Sequence, residues 1–153
     1  MNFMEIAVKE AFCGIDNNEG GPFGAVIVKN GKVISAAHNE VIKNNDPTDH
    51  AEMVAIRKAA QVLKTFDLSD CEIYTTCEPC PMCLAAIYWA KIPTVYYGCN
   101  RYDAEKIGFN DAHIYKAIKG DLEKNTVKVK QIDREACLVP FEMWEKKDNK
   151  IIY

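Results

Sequence analysis

The sequence predicts one α/β domain with three layers, in which helices cover both faces of a mixed sheet of about five strands. Segments with apolar residues at helical spacing alternate along the chain with short runs rich in β-branched and aromatic residues. No internal repeat or low-complexity stretch interrupts this alternation. The chain has 153 residues, of which 48% are hydrophobic, so it can bury one sizeable core. We therefore expect residues 1–153 to form a single domain.

The N-terminal part of the chain predicts a helix followed by a hairpin. The helix ends before the turn-prone residues 17–21, and its apolar face consists of Met4, Ala7, Val8, Ala11, Phe12 and Ile15. Residues 24–28 and 32–36 then predict two strands. Asn30-Gly31 lies between them and is a strong signal for a hairpin turn, so these two strands should pair with each other.

The rest of the chain continues the alternation of helices and strands. The predicted elements are a helix at 51–63, a strand at 72–76, a helix at 84–90, a strand at 94–98, a helix at 111–119 and a strand at 127–131. The helix at 84–90 is almost wholly apolar, which predicts that it is buried. The strand at 127–131 alternates as a strand with one solvent-exposed face does, and it would be the fifth strand of the sheet.

Two short motifs carry the chemistry. Residues 50–52 read His-Ala-Glu, and residues 79–83 read Pro-Cys-Pro-Met-Cys. One imidazole and two thiolates can fill three positions around a tetrahedral Zn²⁺ and leave the fourth for water, while the nearby carboxylate moves protons. This combination is the signature of zinc-dependent deaminases.

The spacing of each motif is compatible with one shared metal. Cys80 and Cys83 are three residues apart, which on a helix places their Cβ atoms about 5–6 Å apart on one face. Pro79 and Pro81 suit the start of a helix, whose positive end favours thiolates. His50 and Glu52 are two residues apart and would diverge on a regular helix. They can converge only if His50 lies at the helix threshold, with non-helical backbone angles.

The cysteines leave other interpretations open. Cys77 and Cys80 form a Cys-x-x-Cys pair between a strand and a helix, as in thioredoxin-like redox proteins. Cys77 could also be a fourth ligand that closes a structural zinc site. A ferredoxin-type cluster fails, because the fourth position of that run is Ile87.

Composition limits the possible partners. The formal net charge is −3, with an isoelectric point of about 5.6, which argues against a protein that grips a phosphate backbone. The seven cysteines are an odd number without the density of a disulfide scaffold, and no apolar run is long enough to span a membrane. We therefore expect a cytoplasmic protein that binds neither a membrane nor nucleic acid.

Longer matching segments identify a family. The chain resembles the cytidine-deaminase-like superfamily of zinc deaminases, and within it the bacterial-type guanine deaminases. The segments that carry this resemblance are residues 20–28, 45–52, 77–83, 86–90 and 108–111 and the terminal Tyr153. The resemblance implies a cytidine-deaminase-like fold, in agreement with the alternation of helices and strands.

The resemblance also implies a reaction and the residues that perform it. His50, Cys80 and Cys83 would hold one Zn²⁺ per subunit, and Glu52 would transfer protons. Attack of hydroxide on C2 of guanine would give xanthine and ammonia, a step of purine catabolism. Asp111 would be a second catalytic carboxylate that also contacts the substrate. The other substrate contacts implied by the resemblance are Phe23, Asn39, Ala51, Trp89 and Tyr153.

The resemblance further implies a domain-swapped homodimer, in which the C-terminal segment, residues 137–153, covers the active site of the partner subunit. The apolar residues of this tail are more than a short terminal element can bury alone, which agrees with docking on a partner. The alternative functions share the zinc chemistry and differ in substrate. They are deamination of cytosine, guanosine or a triazine, and deamination of adenosine in tRNA.

Overall fold

A computed structural model describes residues 2–121 and 127–153, and its centre is a four-stranded mixed sheet. The strands are β1 (Gly24–Lys29), β2 (Lys32–His38), β3 (Cys71–Cys77) and β4 (Thr94–Cys99), in the spatial order β2-β1-β3-β4. β1 is antiparallel to both β2 and β3, whereas β3 and β4 are parallel. The hairpin is confirmed, because Asn30 and Gly31 both have the positive φ angles, 50° and 71°, that a tight two-residue turn requires.

Helices lie on both faces of this sheet, which confirms the three-layer prediction. They are α1 (Phe3–Asp16), α2 (Val41–Asn44), α3 (Ala51–Leu63), α4 (Pro81–Trp89), α5 (Arg101–Lys106), α6 (Asp111–Lys119) and α7 (Arg134–Lys146). On one face, Ala7 of α1 packs with Val26 and Val28. On the other face, α3 and α4 pack in a larger cluster that includes Ile27 and Ile73.

The prediction of a fifth strand is wrong. Residues 127–131 form no strand, and the side chains of Val127 and Val129 are 73% and 92% exposed. The sheet among the described residues has four strands, and β4 is at its edge. A strand is stabilised by hydrogen bonds to a neighbouring strand, so the alternating pattern of 127–131 is not sufficient without such a neighbour in this chain.

The prediction that residues 84–90 are buried is wrong for one side of the helix. Ile87 is buried in the core cluster, whereas Tyr88 and Trp89 are 77% and 66% exposed. The apolar character of this helix therefore exceeds what the sheet covers. α7, which the sequence did not predict, has no buried residue at all. Among the described residues, no helix combines the length and apolar character that a membrane crossing needs.

Candidate zinc and substrate site

His50 lies at the N-cap of α3, directly outside the helix. Its φ and ψ angles, −66° and 155°, are extended. This confirms the prediction that His50 has non-helical backbone angles, which its convergence with Glu52 requires. The preceding turn is held by local hydrogen bonds, in which the Asp46 carboxylate accepts from the backbone and hydroxyl of Thr48 at 2.7 Å. The carboxylate of Asp49 is paired with Arg57. The turn is therefore fixed before the helix begins.

The two cysteines meet at the start of α4. Cys80 is the N-cap residue, with extended angles of −64° and 167°, and Pro81 follows as the first residue of the helix. The backbone N–H of Cys83 donates a hydrogen bond to the Cys80 sulfur at 3.5 Å. The neighbouring Cys83 and His50 lower the pKa of Cys80. The helix N-terminus thus favours a thiolate at this position.

The three side chains fit a zinc ion. The Nδ1 atom of His50 lies 3.5 Å from the Cys80 sulfur and 3.6 Å from the Cys83 sulfur. Tetrahedral zinc, with bonds of about 2.3 Å to sulfur and about 2.0–2.1 Å to nitrogen, places such atoms about 3.6 Å apart. The ligand atoms of all three residues lie within 4.8 Å of one another. The donor set and its spacing therefore match a zinc site with three protein ligands.

Glu52 lies beside this cluster, in the first turn of α3. It is only 6% exposed, and its carboxylate accepts hydrogen bonds from the Thr75 hydroxyl at 3.2 Å and from the Cys83 thiol at 3.5 Å. Burial raises the pKa of Glu52, because the charged carboxylate loses its hydration. A carboxyl group with a raised pKa holds and releases a proton more readily near neutral pH than an ordinary glutamate does.

A cavity of about 300 Å³ opens onto the cluster. Its walls come from residues 20–23, 39–52, 77–80 and 109–111. Asp111, the first residue of α6, lines the cavity, and burial raises the pKa of its carboxyl group. A cavity of this size with a few polar groups among apolar walls is typical of a small-molecule site. The structure therefore brings Asp111 into the same cavity as the metal ligands and Glu52.

Two further predicted contacts, Phe23 and Asn39, also line the cavity. The Oδ1 atom of Asn39 accepts hydrogen bonds from the backbone N–H groups of Gly21 and Val41 at 3.3 and 3.2 Å. Among the described residues its Nδ2 atom has no hydrogen-bond partner, and no buried side-chain polar atom is left unsatisfied, so this amide group remains open to the cavity.

Three predicted contacts lie elsewhere in the single chain. The side chain of Ala51 is fully buried in the hydrophobic core. Trp89 and Tyr153 are 66% and 68% exposed, and their rings lie 6.1 Å apart, outside the cavity. Within one chain, the C-terminal tyrosine therefore contacts the outer side of α4 and does not line the substrate cavity.

Sequence reasoning missed Phe109 as a wall of the cavity. Its ring meets that of Phe23 edge-to-face, with centroids 4.8 Å apart. A Cβ atom on Gly21 would lie 2.9 Å from Phe109 and 3.0 Å from Phe23, so glycine is needed for the two rings to meet there. Phe109 is an apolar residue in a loop two positions before Asp111, and only this proximity in sequence could have indicated its role.

Cys77 does not complete the metal cluster. Its thiol donates a weak hydrogen bond to the Asn100 carbonyl at 3.7 Å, and burial raises its pKa to about 12. A raised pKa lowers the thiolate fraction, which disfavours a reactive redox cysteine. The hydrogen bond to Asn100 turns the Cys77 sulfur toward the end of β4 and not toward the other two sulfurs. Among the described residues, the cluster at this site contains His50, Cys80 and Cys83 only. A structural zinc site closed by Cys77 is therefore not supported.

Comparison with known proteins agrees with this geometry. Residues 1–99 match the model of the cytidine and deoxycytidylate deaminase zinc-binding region. The chain is 48% identical over 151 residues to guanine deaminase of Bacillus subtilis, covering 99% of this chain and 97% of that protein. The crystal structure of that guanine deaminase superposes with a TM-score of 0.94 and 47% identity, covering 100% of this chain and 99% of the other.

A second kind of relative is also a deaminase. The tRNA-specific adenosine deaminase of Buchnera aphidicola is 38% identical over 136 residues, which covers 88% of this chain and 86% of that protein. Both kinds of relative are deaminases, and His50, Cys80 and Cys83 lie within the matched zinc-binding region and are of the ligand types that zinc deaminases use. The chain therefore belongs to the cytidine and deoxycytidylate deaminase family of zinc-dependent enzymes.

Proposed function

We propose that this protein hydrolyses guanine to xanthine and ammonia. The observation that carries the proposal is that the zinc ligands, the buried Glu52 and the carboxylate of Asp111 meet in one small cavity. Similarity over nearly the whole chain to the guanine deaminase of Bacillus subtilis supports guanine as the substrate. The geometry of the site supports hydrolytic deamination as the reaction type, and the similarity to guanine deaminase supports guanine as the base.

His50, Cys80 and Cys83 would hold the zinc ion, which would supply a water whose pKa is lowered toward neutrality. Glu52 takes the proton that this water releases and passes it to the substrate. Of the two protons of the water, one completes the departing ammonia and the other remains on N3 of xanthine. Thr75 orients the Glu52 carboxylate through its hydroxyl, and the surrounding core excludes bulk water.

Asp111 and Asn39 orient the base. A carboxylate accepts hydrogen bonds from N1–H and from the 2-amino group of guanine, and Asp111 lines the cavity as such an acceptor. The free Nδ2 of Asn39 donates to an acceptor atom of the base. Phe23 and Phe109 provide an apolar wall for a planar ring. This set of contacts distinguishes guanine from a base without the same donors and acceptors.

The experiment that tests this function is an assay of the purified, zinc-loaded protein with guanine, in which ammonia and xanthine are both quantified. Equal amounts of ammonia and xanthine are expected. Cytosine, guanosine and an aminotriazine are assayed in parallel at the same concentration. Faster turnover of any of these, or no xanthine from guanine, contradicts the proposal.

Deamination of adenosine in tRNA is the second candidate, because relatives with that activity are 38–45% identical to this chain. Several of those matches cover only 62–63% of the chain, whereas the guanine deaminase matches 99%. The net charge of −3 also disfavours binding to a tRNA loop. Tight, salt-dependent binding of tRNA and release of inosine would favour this alternative.

We also propose a homodimer in which residues 137–153 of one subunit cover the active site of the other. In support, α7 has no buried residue, and Phe141, Ile152 and Tyr153 are 72%, 67% and 68% exposed. Trp89 and Tyr153 lie outside the cavity of their own chain, so a tail that reaches the substrate must come from another subunit.

Deletion of residues 148–153 tests the role of the tail. We expect kcat for guanine to fall by at least about tenfold, because an uncovered site admits water and orients the base poorly. The free energy of unfolding should change far less than activity does, because in the single chain these residues are largely exposed and add no core packing. Only their contacts with the partner's surface would be lost. Steady-state kinetics and urea unfolding of the same samples measure both effects. Unchanged kcat would contradict the proposal that the tail covers the active site.

Mixing two inactive variants shows whether the tail acts on the partner. Glu52→Gln keeps the tail and lacks the proton carrier, whereas the deletion variant keeps Glu52 and lacks the tail. After subunit exchange, a mixed dimer would contain one complete site, and activity should reappear. No recovery in a sample shown to contain mixed dimers would mean that the tail covers its own subunit.

We further propose that the protein acts in purine catabolism in the cytoplasm. All seven cysteines are free, and two of them must stay reduced to bind zinc. A reducing compartment protects these thiolates from oxidation. Fractionation of cells, with the enzyme followed by its guanine deaminase activity, tests the location.

A further inference from the structure

Helix α6 carries Asp111 into the active site, yet it is poorly anchored to the rest of the molecule. None of its residues is buried, and Ile114 and Ile118 are 45% and 71% exposed. Catalysis depends on the position of reacting groups to within about 1 Å, and such an exposed helix cannot provide this by core packing. Specific polar contacts must therefore fix the helix.

Tyr115 makes the contact that ties α6 to the zinc site. Its hydroxyl donates a hydrogen bond to the Pro79 carbonyl at 2.8 Å, and Pro79 directly precedes the zinc ligand Cys80. Tyr115 lies one helical turn after Asp111, so both side chains share one side of α6. The bond therefore links the helix that bears Asp111 with the loop that bears Cys80.

Arg101 holds this tyrosine from the other side. Its guanidinium lies 3.8 Å from the centre of the Tyr115 ring, which is close enough for a cation–π contact. The same guanidinium forms two parallel hydrogen bonds with Glu78, at 2.7 Å from Nη2 and 3.3 Å from Nε. The backbone N–H of Arg101 donates to Glu78 as well, at 2.9 Å. Arg101 thus joins α5, α6 and the residue next to Pro79.

The geometry of these contacts exceeds that of an ordinary surface ion pair. The side chains of Arg101 and Glu78 are only 26% and 20% exposed, and the planar fork of Arg101 meets both carboxylate oxygens. The backbone N–H of Glu78 also donates to the Cys99 carbonyl at 2.8 Å, so the loop is tied to the end of β4. The carboxylate is therefore held on a rigid part of the sheet.

We propose that Glu78, Arg101 and Tyr115 form a positioning clamp that sets the position of Asp111 relative to the zinc ligands. Arg101 and Tyr115 do not line the cavity, Glu78 contributes to its wall, and none of the three belongs to the metal cluster. We argue that they act through Asp111. The importance of the clamp for turnover rests on the proposed deamination of guanine. The attachment of α6 to the loop at Pro79 by these residues does not depend on that function.

Tyr115→Phe is the variant that tests the clamp. It keeps the ring under Arg101 and removes only the hydroxyl that bonds to Pro79. We expect kcat to fall roughly tenfold, with KM changed by less than about twofold, because Asp111 loses its alignment while the rest of the cavity is intact. Zinc content should stay at one per chain. Amide hydrogen exchange in α6 should become faster.

Tyr102→Phe is the matched control, since Tyr102 is 62% exposed and its hydroxyl has no hydrogen-bond partner among the residues that the structure describes. Its kinetics and hydrogen exchange should equal those of the wild type. Arg101→Lys is a second test variant, because it keeps the positive charge and loses both the fork and the flat surface that stacks on Tyr115. It should lower kcat in the same way as Tyr115→Phe.

Combination with Asp111→Asn separates positioning from general stability. If the clamp acts through Asp111, Tyr115→Phe has no further effect on kcat in the Asp111→Asn background. An equal loss of kcat in both backgrounds, unchanged kcat in Tyr115→Phe, or loss of zinc in step with activity would overturn the proposal. If the wild type released no xanthine from guanine, the proposed function would fail separately. Unchanged hydrogen exchange in α6 would then overturn the clamp.

Discussion

Among the residues that the structure describes, two clusters bring a histidine together with other metal-ligating side chains, and they differ in ways that separate a metal site from a structural network. The ligand atoms of His50, Cys80 and Cys83 lie within 4.8 Å of one another, and so do those of Glu19, His38 and Glu40. Both clusters lie close to the walls of the same cavity. By proximity alone, either of them qualifies as a metal site.

The His38 cluster already contains its own cations. The Nδ1 atom of His38 lies 3.0 Å from Glu10 and its Nε2 atom 2.6 Å from Glu19, while Lys43 pairs with Glu19 and Glu40 at 3.1 and 3.3 Å. Both ring nitrogens are therefore used, and the charges of the carboxylates are largely balanced.

In the His50 cluster, two sulfurs face one ring nitrogen, and among the described residues no lysine or arginine pairs with them. A bound metal ion would balance the charge of two thiolates. A site suited to zinc therefore has soft ligands and lacks a fixed positive side chain. The His38 cluster is instead a structural network that connects the loop at Glu19 with the end of β2.

Removal of zinc has the largest expected effect on this comparison. Dialysis against a chelator should abolish deamination, and added zinc should restore it, because the site lacks its source of hydroxide without the metal. Metal analysis should give one zinc per chain, with one also in His38→Gln and none in His50→Ala. Two zinc ions per chain, of which one is lost in His38→Gln, would show that both clusters bind metal.

The second largest effect is expected when a carboxylate beside each cluster is replaced and turnover is compared. Glu52→Gln should retain zinc and lose turnover by about 10²–10⁴-fold, the usual contribution of a general acid–base group. Glu10→Gln is the matched control, because it removes the same charge from a carboxylate that only pairs with His38. Its kcat should remain close to that of the wild type. An active Glu52→Gln enzyme would show that another group carries the proton.

The smallest expected effect is a pH-dependent stability from His38. Burial lowers the pKa of His38, but hydrogen bonds to Glu19 and Glu10 outweigh burial, so the pKa is raised above its ordinary value of 6.5. The carboxylates and the ammonium that face it are those of Glu10, Glu19, Glu40 and Lys43. A raised histidine pKa stabilises the fold fully below about pH 6.5, and this stabilisation is lost as the pH rises through the folded-state pKa.

His38→Gln should therefore lower the free energy of unfolding by roughly 1–3 kcal/mol near pH 6, and by less as the pH rises. Urea unfolding of wild type and variant at several pH values, at a fixed concentration of free zinc, measures this difference. A difference that does not change with pH would mean that the imidazole packs in the cluster without carrying a charge.

Much of the site could be predicted from the sequence because its parts are local. α3 begins and ends at the residues that the apolar spacing predicted, and the Asn30-Gly31 hairpin forms as expected. The convergence of His50 and Glu52 required an extended residue at the helix threshold, and the turn-prone residues before it allowed that inference. These features depend on backbone preferences of a few adjacent residues.

Contacts between distant segments could not be predicted in this way. The wall formed by Phe109 and Phe23 joins residues far apart in sequence, as does the clamp of Arg101 with Glu78 and Tyr115. The strand predicted at 127–131 failed for the same reason, because its alternating pattern specifies a suitable face and not the presence of a neighbouring strand. Trp89 and Tyr153 lie together outside the cavity, which no local pattern indicates.

The three-layer class, the N-termini of α3 and α4 and the candidate zinc ligands could be inferred from residue types and spacing, because side-chain chemistry and backbone propensity act over a few residues. Helices α2, α5 and α7 were not predicted in this way. Cys77 outside the metal cluster, Asp111 in the same cavity as Glu52, and Glu10 and Glu19 at the two ring nitrogens of His38 are features that only contacts between distant segments establish. Each of these depends on distances and burial between segments that the folded core brings together.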